Sequence, residues 1–170
     1  MAAASSHHLL RNQIADIPIS QLAAKVNTPF YVYDEQKITE RINDLKAFDV
    51  VRYAQKACSN LAILDICRRN GAVVDAVSTG EILRAEAVGF SASGDPSPIV
   101  YTADIFDLSS LELVLDRGIH TNCGSPDMLT QLGQKAPGRS ITLRINPGFG
   151  HGHSQKTNTG GSQSKHGIWH

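Results

Sequence analysis

Lys56 is the residue whose type and position suggest covalent chemistry. It follows the apolar run 50–54, which has the β-branched and aromatic composition of a buried strand, and a helical pattern begins at Leu61. A lysine at the carboxyl end of a strand lies where α/β proteins build active sites. Partial burial there makes an ammonium easier to deprotonate, and a neutral amine can form a Schiff base with a carbonyl. The alternative is a surface lysine whose stem packs along the strand end.

Three further charged residues stand where their charge needs an explanation. Asp75 lies inside an otherwise apolar run, where a carboxylate is costly unless paired, and Lys56 on the neighbouring strand is the expected partner. Glu81 begins a helix, where its charge suits the helix dipole. Arg144 lies inside an apolar strand and needs an anionic or stacking partner. A strand-end salt bridge is the structural alternative for Arg144.

Four histidines, His151, His153, His166 and His170, fall in a polar, glycine-rich stretch near the end of the sequence. Their spacing is not that of a known zinc site, and neither cysteine nor carboxylate accompanies them. We therefore predict no metal site. The glycines of this stretch are too weak a signal to predict a phosphate-binding loop.

A repeating strand–helix pattern positions these residues. The predicted strands are 50–54, 73–77, 99–102, 119–122 and 141–145, and the predicted helices are 61–69, 80–87, 109–116 and 126–134. Glycine follows each of the first three helices, as at a helix C-terminus, and Ser125 precedes Pro126 as a cap. The strands are predicted to be apolar on both faces, which is typical of parallel strands covered by helices. Alternation of this kind predicts a parallel sheet or barrel.

The carboxyl ends of parallel strands share one face, so the polar residues that follow the strands should collect there. They are Lys56, Ser78, Thr79, Asp104, Asn122, Cys123, Arg144 and Asn146. The ordinary polarity of loops is enough to explain Asp104 and Asn122.

The sequence before residue 50 has the patterns of two helices and a strand. A short helix at 17–25 is expected to be capped by Ser20. A strand is expected at 28–34, with Pro29 near its start. Asp34 is then expected to cap a helix that extends to Leu45.

Composition excludes several classes of partner. Sixteen basic residues balance sixteen acidic ones, so no net charge favours nucleic acid or an anionic membrane surface. No apolar run is long enough to cross a membrane, and the first eight residues lack the apolar core of a secretory signal. Three cysteines without CxxC spacing suit a reducing cytoplasm.

The number of strands limits the architecture. A closed eight-stranded βα barrel needs about 250 residues, whereas this sequence has 170 and five repeating strands. The favoured fold is therefore α/β, a partial (β/α)8 barrel truncated after about five strands, and an open doubly wound sheet is the alternative. A chain of this kind should expose unpaired strand edges, so we expect residues 1–170 alone to be poorly folded and inactive.

Several segments resemble, in order, one family of enzymes. Residues 53–60, with Lys56, resemble the lysine motif of the alanine-racemase-like, pyridoxal-phosphate-dependent decarboxylases. Residues 28–34 resemble that family's first strand, 75–81 its second, and 144–147 its Arg-Ile-Asn-Pro segment. Residues 151–168 resemble the loop found in the branch that acts on diaminopimelate, whereas residues 101–106 depart from the commoner Gly-Asn-containing third strand.

The resemblance implies pyridoxal phosphate as the cofactor and an amino acid as the substrate. Lys56 would carry the cofactor as a Schiff base, with Asp75, Glu81 and Arg144 beside it and Glu81 at the pyridine nitrogen. His151, His153 and Thr157 would belong to a loop over the substrate.

The implied activity is decarboxylation of meso-2,6-diaminopimelate to L-lysine and carbon dioxide. Arginine or ornithine decarboxylation on the same fold is an alternative, as is a non-catalytic cofactor carrier. The resemblance further implies an extension with a short helix at 1–27, the N-terminal part of the barrel at 28–170, and a C-terminal β domain beyond this chain. It also implies a cytoplasmic homodimer.

Overall fold

The computed structural model describes residues 11–150, 152 and 158–169. The described chain begins with an antiparallel pair, β1 (Gln13–Ile14) and β2 (Ile17–Pro18), followed by helices α1 (Ile19–Lys25) and α2 (Glu35–Asn43). The side chain of Asp34 accepts hydrogen bonds from the backbone N–H groups of Gln36 and Lys37, which confirms the predicted cap of α2.

Two predictions for this region are wrong. Ser20 does not cap α1, because the helix begins at Ile19 and Pro18, which pairs with β1, occupies the cap position. Residues 28–34 form no strand. Strand composition alone cannot make a strand without a neighbour to share hydrogen bonds, and Tyr31 in this segment is 92% exposed.

A five-stranded parallel sheet follows, with its strands in sequence order. The strands are β3 (Arg52–Ala54), β4 (Val73–Ala76), β5 (Ile99–Ala103), β6 (His120–Cys123) and β7 (Thr142–Leu143). The intervening helices are α3 (Leu61–Arg69), α4 (Thr79–Ala87), α5 (Leu108–Asp116) and α6 (Pro126–Lys135). The predicted parallel α/β arrangement is therefore confirmed. Gly71, Gly89 and Gly118 have positive φ after α3, α4 and α5, as C-terminal glycines do.

The outer face of the sheet packs against helices α3 to α6 and forms the main core. Val74 and Ala76 of β4 are fully buried on this face, as are Ile99 and Ile119. Leu64, Ile82, Val114 and Met128 from the four helices complete the same cluster. Burying such side chains contributes about 1.5–3 kcal/mol each, so this layer supplies most of the stability of the described chain.

The inner face is polar, and the prediction of strands apolar on both faces is wrong. One side of successive strands is lined by Arg52, Asp75, Thr102, Asn122 and Thr142. The first four are partly exposed and Thr142 is exposed. Side chains alternate between faces along a strand, so the buried residues of β4 flank Asp75 without sharing its surroundings.

The last predicted strand, 141–145, is divided in two. Arg144 donates its N–H to the carbonyl of Cys123 in β6 and accepts from the N–H of Ile168 with its own carbonyl. After Arg144 the chain leaves the sheet as β8 (Ile145–Asn146), which pairs in parallel with β9 (Ile168–Trp169). Arg144 therefore lies at the junction between two sheets.

Candidate functional site

A cleft of about 820 Å³ opens at the carboxyl ends of β3 to β7. This volume falls in the range of small-molecule sites. Its polar lining consists of Lys56, Asp75, Thr102, Asp104, Ser125, Arg144, Lys165 and His166. Val77, Ile105, Pro126 and Ile168 supply apolar walls. The structure thus brings together three of the predicted site residues, Lys56, Asp75 and Arg144.

Lys56 lies in a single 3₁₀ turn, Gln55–Ala57, directly after β3. Gln55 points into the protein and is 1% exposed, whereas Lys56 is exposed. The expected partial burial of Lys56 is therefore wrong for this chain, in which Lys56 follows the edge strand β3. The amine is free to meet a carbonyl ligand in the cleft.

Asp75 takes its hydrogen bond from Thr102, not from Lys56. Thr102 Oγ1 donates to Asp75 Oδ1 over 2.5 Å, across the two neighbouring strands. Between Lys56 and Asp75 we find neither a hydrogen bond nor a salt bridge in the described chain, so the predicted pair is wrong as a direct contact. Burial raises the pKa of the Asp75 carboxyl, and the Thr102 hydrogen bond and the charges of Arg52, Lys56 and Arg144 oppose that rise.

Glu81 lies outside the residues that line the cleft. Its carboxylate accepts a hydrogen bond from the N–H of Val77 at 2.8 Å, and Ser78 Oγ accepts from the N–H of Glu81. These two contacts tie the end of β4 to the first turn of α4, in the manner of a capping box. Contact between Glu81 and a cofactor ring stays a prediction.

Arg144 meets a carboxylate that sequence analysis attributed to loop polarity. Its guanidinium lies 3.8 Å from Asp104 Oδ1, and His166 Nδ1 lies 2.6 Å from Asp104 Oδ2. The N–H of Gly167 also donates to Asp104 Oδ1. Asp104 thus joins the end of β5, the β7–β8 junction and the segment before β9.

No local pattern around Asp104 predicts this cluster, because His166 lies 62 residues further along the chain. One indirect signal is Gly124. A Cβ atom there would overlap the Asp104 carboxylate and lie 2.6 Å from the carbonyl oxygen of Ala103. Glycine at this position makes room for the carboxylate.

The predicted loop residues His151, His153 and Thr157 lie outside the described residues. Asn146, which is 2% exposed, hydrogen-bonds to described residues on both sides of that stretch. Its side-chain oxygen accepts from the N–H groups of Gly148 and Gly161, and its amide donates to the carbonyl of Gly161.

The lining suits a ligand that carries both a carbonyl and an anionic group. Lys56, Arg144 and Lys165 supply cations, Lys56 supplies an exposed amine, and the apolar walls suit a flat ring. Asp75 and Asp104 add carboxylates at defined positions. Pyridoxal phosphate, which has an aldehyde, a phosphate and an aromatic ring, fits this set of groups. Within the described chain, no helix is long and apolar enough to span a membrane.

Comparison with known proteins agrees with this assignment. Residues 35–170 match the family model described as pyridoxal-dependent decarboxylase, pyridoxal binding domain. A diaminopimelate decarboxylase of Streptomyces coelicolor is 57% identical over 152 residues, which are 89% of this chain and 34% of that protein. That of Escherichia coli K12 is 57% identical over 150 residues, 88% of this chain and 36% of that protein. The chain therefore spans about a third of the length of these curated relatives.

Solved structures show the same likeness. A crystal structure of diaminopimelate decarboxylase superposes with a TM-score of 0.83 at 56% identity, over 89% of this chain and 36% of the other. The Helicobacter pylori diaminopimelate decarboxylase complexed with L-lysine gives 0.78 at 30% identity, over 89% and 40%. These matches confirm the predicted partial barrel. The chain belongs to the family of pyridoxal-dependent decarboxylases, and its residues 35–170 match the model of that family's pyridoxal-binding domain.

Proposed function

We propose that this chain forms the lysine-bearing part of a pyridoxal-phosphate site, with Lys56 as the residue that forms the Schiff base. The observation that carries the proposal is the position of Lys56, an exposed amine at a strand end beside a cleft lined by cations and carboxylates. An imine needs a neutral amine within reach of the carbonyl, and Lys56 is an exposed residue that lines the cleft.

The other cleft residues have separate roles in the proposal. Arg144 and Lys165 supply positive charge for anionic groups of the cofactor or substrate. Asp75 supplies a carboxylate whose orientation Thr102 fixes through a hydrogen bond. When bound, the cofactor supplies the electron sink that stabilises the carbanion left after loss of carbon dioxide.

We propose meso-2,6-diaminopimelate as the substrate and L-lysine and carbon dioxide as the products. The support is the 57% identity to curated diaminopimelate decarboxylases across nearly nine-tenths of this chain. In this proposal Lys56 would hold the cofactor through its side-chain amine, and that amine would also be placed to accept or return a proton in the cleft. His151, His153 and Thr157 are proposed to contact the substrate.

Glu81 is the proposed site residue that the geometry supports least. One carboxylate oxygen, Oε2, is held by the N–H of Val77, so a role at the pyridine nitrogen falls to the other oxygen or needs the side chain to turn toward the cleft. Its contacts at the start of α4 give it a sufficient structural reason to be acidic.

The remaining proposals concern the whole protein. We propose that residues 1–27 are an extension, that residues 28–170 form the N-terminal part of the barrel domain, and that a C-terminal β domain completes the enzyme. A cytoplasmic homodimer is proposed on two grounds. Cys58, Cys67 and Cys123 are all free thiols, and large apolar side chains outside the cleft, such as Tyr31 and Phe48, are exposed. Analytical ultracentrifugation of the full-length protein tests the dimer.

The proposal is tested by chemical trapping. Full-length protein is incubated with pyridoxal phosphate, reduced with borohydride and digested, and the labelled peptide is identified by mass spectrometry. We expect the label on Lys56. Label on Lys25, Lys37 or Lys165 would refute the assignment.

The substrate is tested by comparing carbon dioxide release from meso-diaminopimelate, arginine and ornithine. Release from meso-diaminopimelate should exceed the other two by at least about 10³-fold, because a site built for a second carboxylate rejects substrates that lack it. Trapping without carbon dioxide release from any of the three would indicate a cofactor carrier.

A further inference from the structure

We propose that Asp104 is a positioning residue for the cofactor cleft: its carboxylate holds the Arg144 side chain and fastens the segment 158–169 to the end of β5. The inference rests on the proposed function, because it assigns to Arg144 a contact with a bound cofactor or substrate. Asp104 belongs to the lining of the cleft and acts through Arg144 and His166.

The first argument is the number of chain segments that meet at one carboxylate. Oδ2 lies 2.6 Å from His166 Nδ1, and Oδ1 accepts the N–H of Gly167 at 3.2 Å and lies 3.8 Å from the Arg144 guanidinium. The three side chains are only about a quarter to a third exposed. An ion pair or charge-assisted hydrogen bond shielded in this way holds its partners more firmly than one on the open surface.

The second argument is the assignment of the proton on His166. Nδ1 lies 2.6 Å from Asp104 and 3.4 Å from the Arg144 guanidinium, and one nitrogen cannot donate to the first and accept from the second. The shorter contact decides, so Nδ1 carries the proton and donates to Asp104. Arg144 and His166 are therefore held side by side by a shared carboxylate, and replacing Asp104 by asparagine removes the negative charge that both donors face.

The third argument is that the backbone around Arg144 depends on the same contact. The carbonyl of Arg144 accepts from the N–H of Ile168, next to Gly167, whose own N–H donates to Asp104. Backbone pairing of β8 with β9 and the Asp104 cluster therefore reinforce each other. Gly124 leaves the space that the carboxylate needs, because a Cβ atom at this position would overlap Asp104 Oδ1.

The test uses the full-length protein and two readouts. Hydrogen–deuterium exchange without cofactor follows the peptide that covers 158–169, and fluorescence titration gives the dissociation constant of pyridoxal phosphate. For Asp104→Asn we expect exchange in 158–169 to rise at least about fivefold while helices α3 to α6 keep their rates, and the dissociation constant to rise about tenfold. Asp49→Asn, at an exposed aspartate outside the cleft, is the matched control and should change neither.

A double-mutant cycle separates positioning from a general loss of structure. If Asp104 acts through Arg144, Asp104→Asn should weaken cofactor binding by less than about twofold in an Arg144→Gln background. If the double variant instead loses affinity by the product of the two single-variant losses, the inference is overturned.

His166 offers a conservative rescue that leaves Asp104 in place. Asparagine presents an N–H donor near the position of Nδ1, whereas phenylalanine does not. We expect His166→Asn to retain slow exchange in 158–169 and His166→Phe to lose it. Equal exchange in the two variants would overturn the fastening role.

The two proposals fail in different ways. Wild-type protein that binds no pyridoxal phosphate would overturn the proposed function, and with it the role of Asp104 toward a cofactor. Wild-type protein that binds the cofactor, together with Asp104→Asn that matches it in exchange and affinity, would overturn the inference about Asp104 alone.

Discussion

The two faces of the five-stranded sheet differ sharply although the same strands build them. On the outer face Val74, Ala76 and Ile99 are fully buried under helices, and their neighbours are apolar. On the inner face Asp75 and Thr102 form a hydrogen bond at the edge of a cleft and stay partly exposed. One residue along a strand is enough to move a side chain from one environment to the other.

This difference separates the residues that stabilise the fold from those that would bind a ligand. Shortening a side chain in a buried apolar layer lowers the free energy of unfolding of the protein. A polar cleft supplies little hydrophobic stabilisation, and its buried charge has a cost. Substitutions on the inner face should therefore change binding and rate with small effects on stability, and substitutions on the outer face should do the reverse.

The largest expected effect is at the cleft. Lys56→Ala should lower decarboxylation by full-length protein by at least about 10³-fold, because the variant lacks the amine proposed to form the imine. The melting temperature should stay within about 2 °C of wild type, since Lys56 is exposed and its replacement removes no buried surface. Activity assays and calorimetry measure the two. A large drop in melting temperature would show that the cleft also supports the fold.

Leu64→Ala tests the outer face. Leu64 is fully buried in the main core, so we expect a loss of about 2–5 kcal/mol in the free energy of unfolding, measured by urea denaturation. The rate per folded molecule should not change. Leu61→Ala, in the same helix but 47% exposed, is the control and should cost less than about 1 kcal/mol. Equal losses in the two variants would contradict the assignment of the core.

Asp75→Asn should change stability and cofactor binding in opposite directions within one variant. Burial raises the pKa of Asp75 above its unfolded value of about 3.9, so ionisation of this carboxyl disfavours the folded state. Below that unfolded pKa the group is neutral in both states and imposes no penalty. As the pH rises the penalty grows, and it levels off above the folded-state pKa.

Asparagine removes this penalty and can still accept the hydrogen bond of Thr102. We therefore expect the variant to have a slightly higher melting temperature than wild type at pH 7, with an advantage that shrinks as the pH is lowered toward 4. Its affinity for pyridoxal phosphate should fall about tenfold, because a carboxylate accepts a hydrogen bond from a donor on the cofactor more strongly than a neutral amide does. A lower melting temperature at pH 7 would mean that the neighbouring cations stabilise the ionised carboxylate more than burial penalises it.

The smallest effect is expected at Glu81. Glutamine can still accept a hydrogen bond from Val77, so Glu81→Gln should lower the free energy of unfolding by less than about 1 kcal/mol and change the rate by less than about threefold. Steady-state kinetics and denaturation measure both. A rate loss on the order of 10²-fold with normal cofactor retention would instead support the contact with the pyridine nitrogen that the sequence resemblance predicts.

Sequence alone predicted the order and type of the repeating elements. Helix α3 has the predicted bounds, and the other helices of the repeat differ by one residue at an end, because apolar periodicity, cap residues and C-terminal glycines are local signals. The same signals placed Lys56 after a strand and Asp75 within one. Arg144 was identified by its charge in an apolar run. These residues do meet in one cleft, since parallel strands bring their carboxyl ends together.

The tertiary structure decided what depends on distant partners. It left residues 28–34 without a strand and turned β8 away from the sheet to pair with β9, because backbone hydrogen bonds go to whichever segment lies alongside. It exposed Lys56 at an edge and gave Asp75 a threonine as its hydrogen-bond partner. It also brought Arg144 and His166 to the carboxylate of Asp104. Sequence spacing carries local periodicity, whereas contacts across tens of residues exist only once the chain has folded.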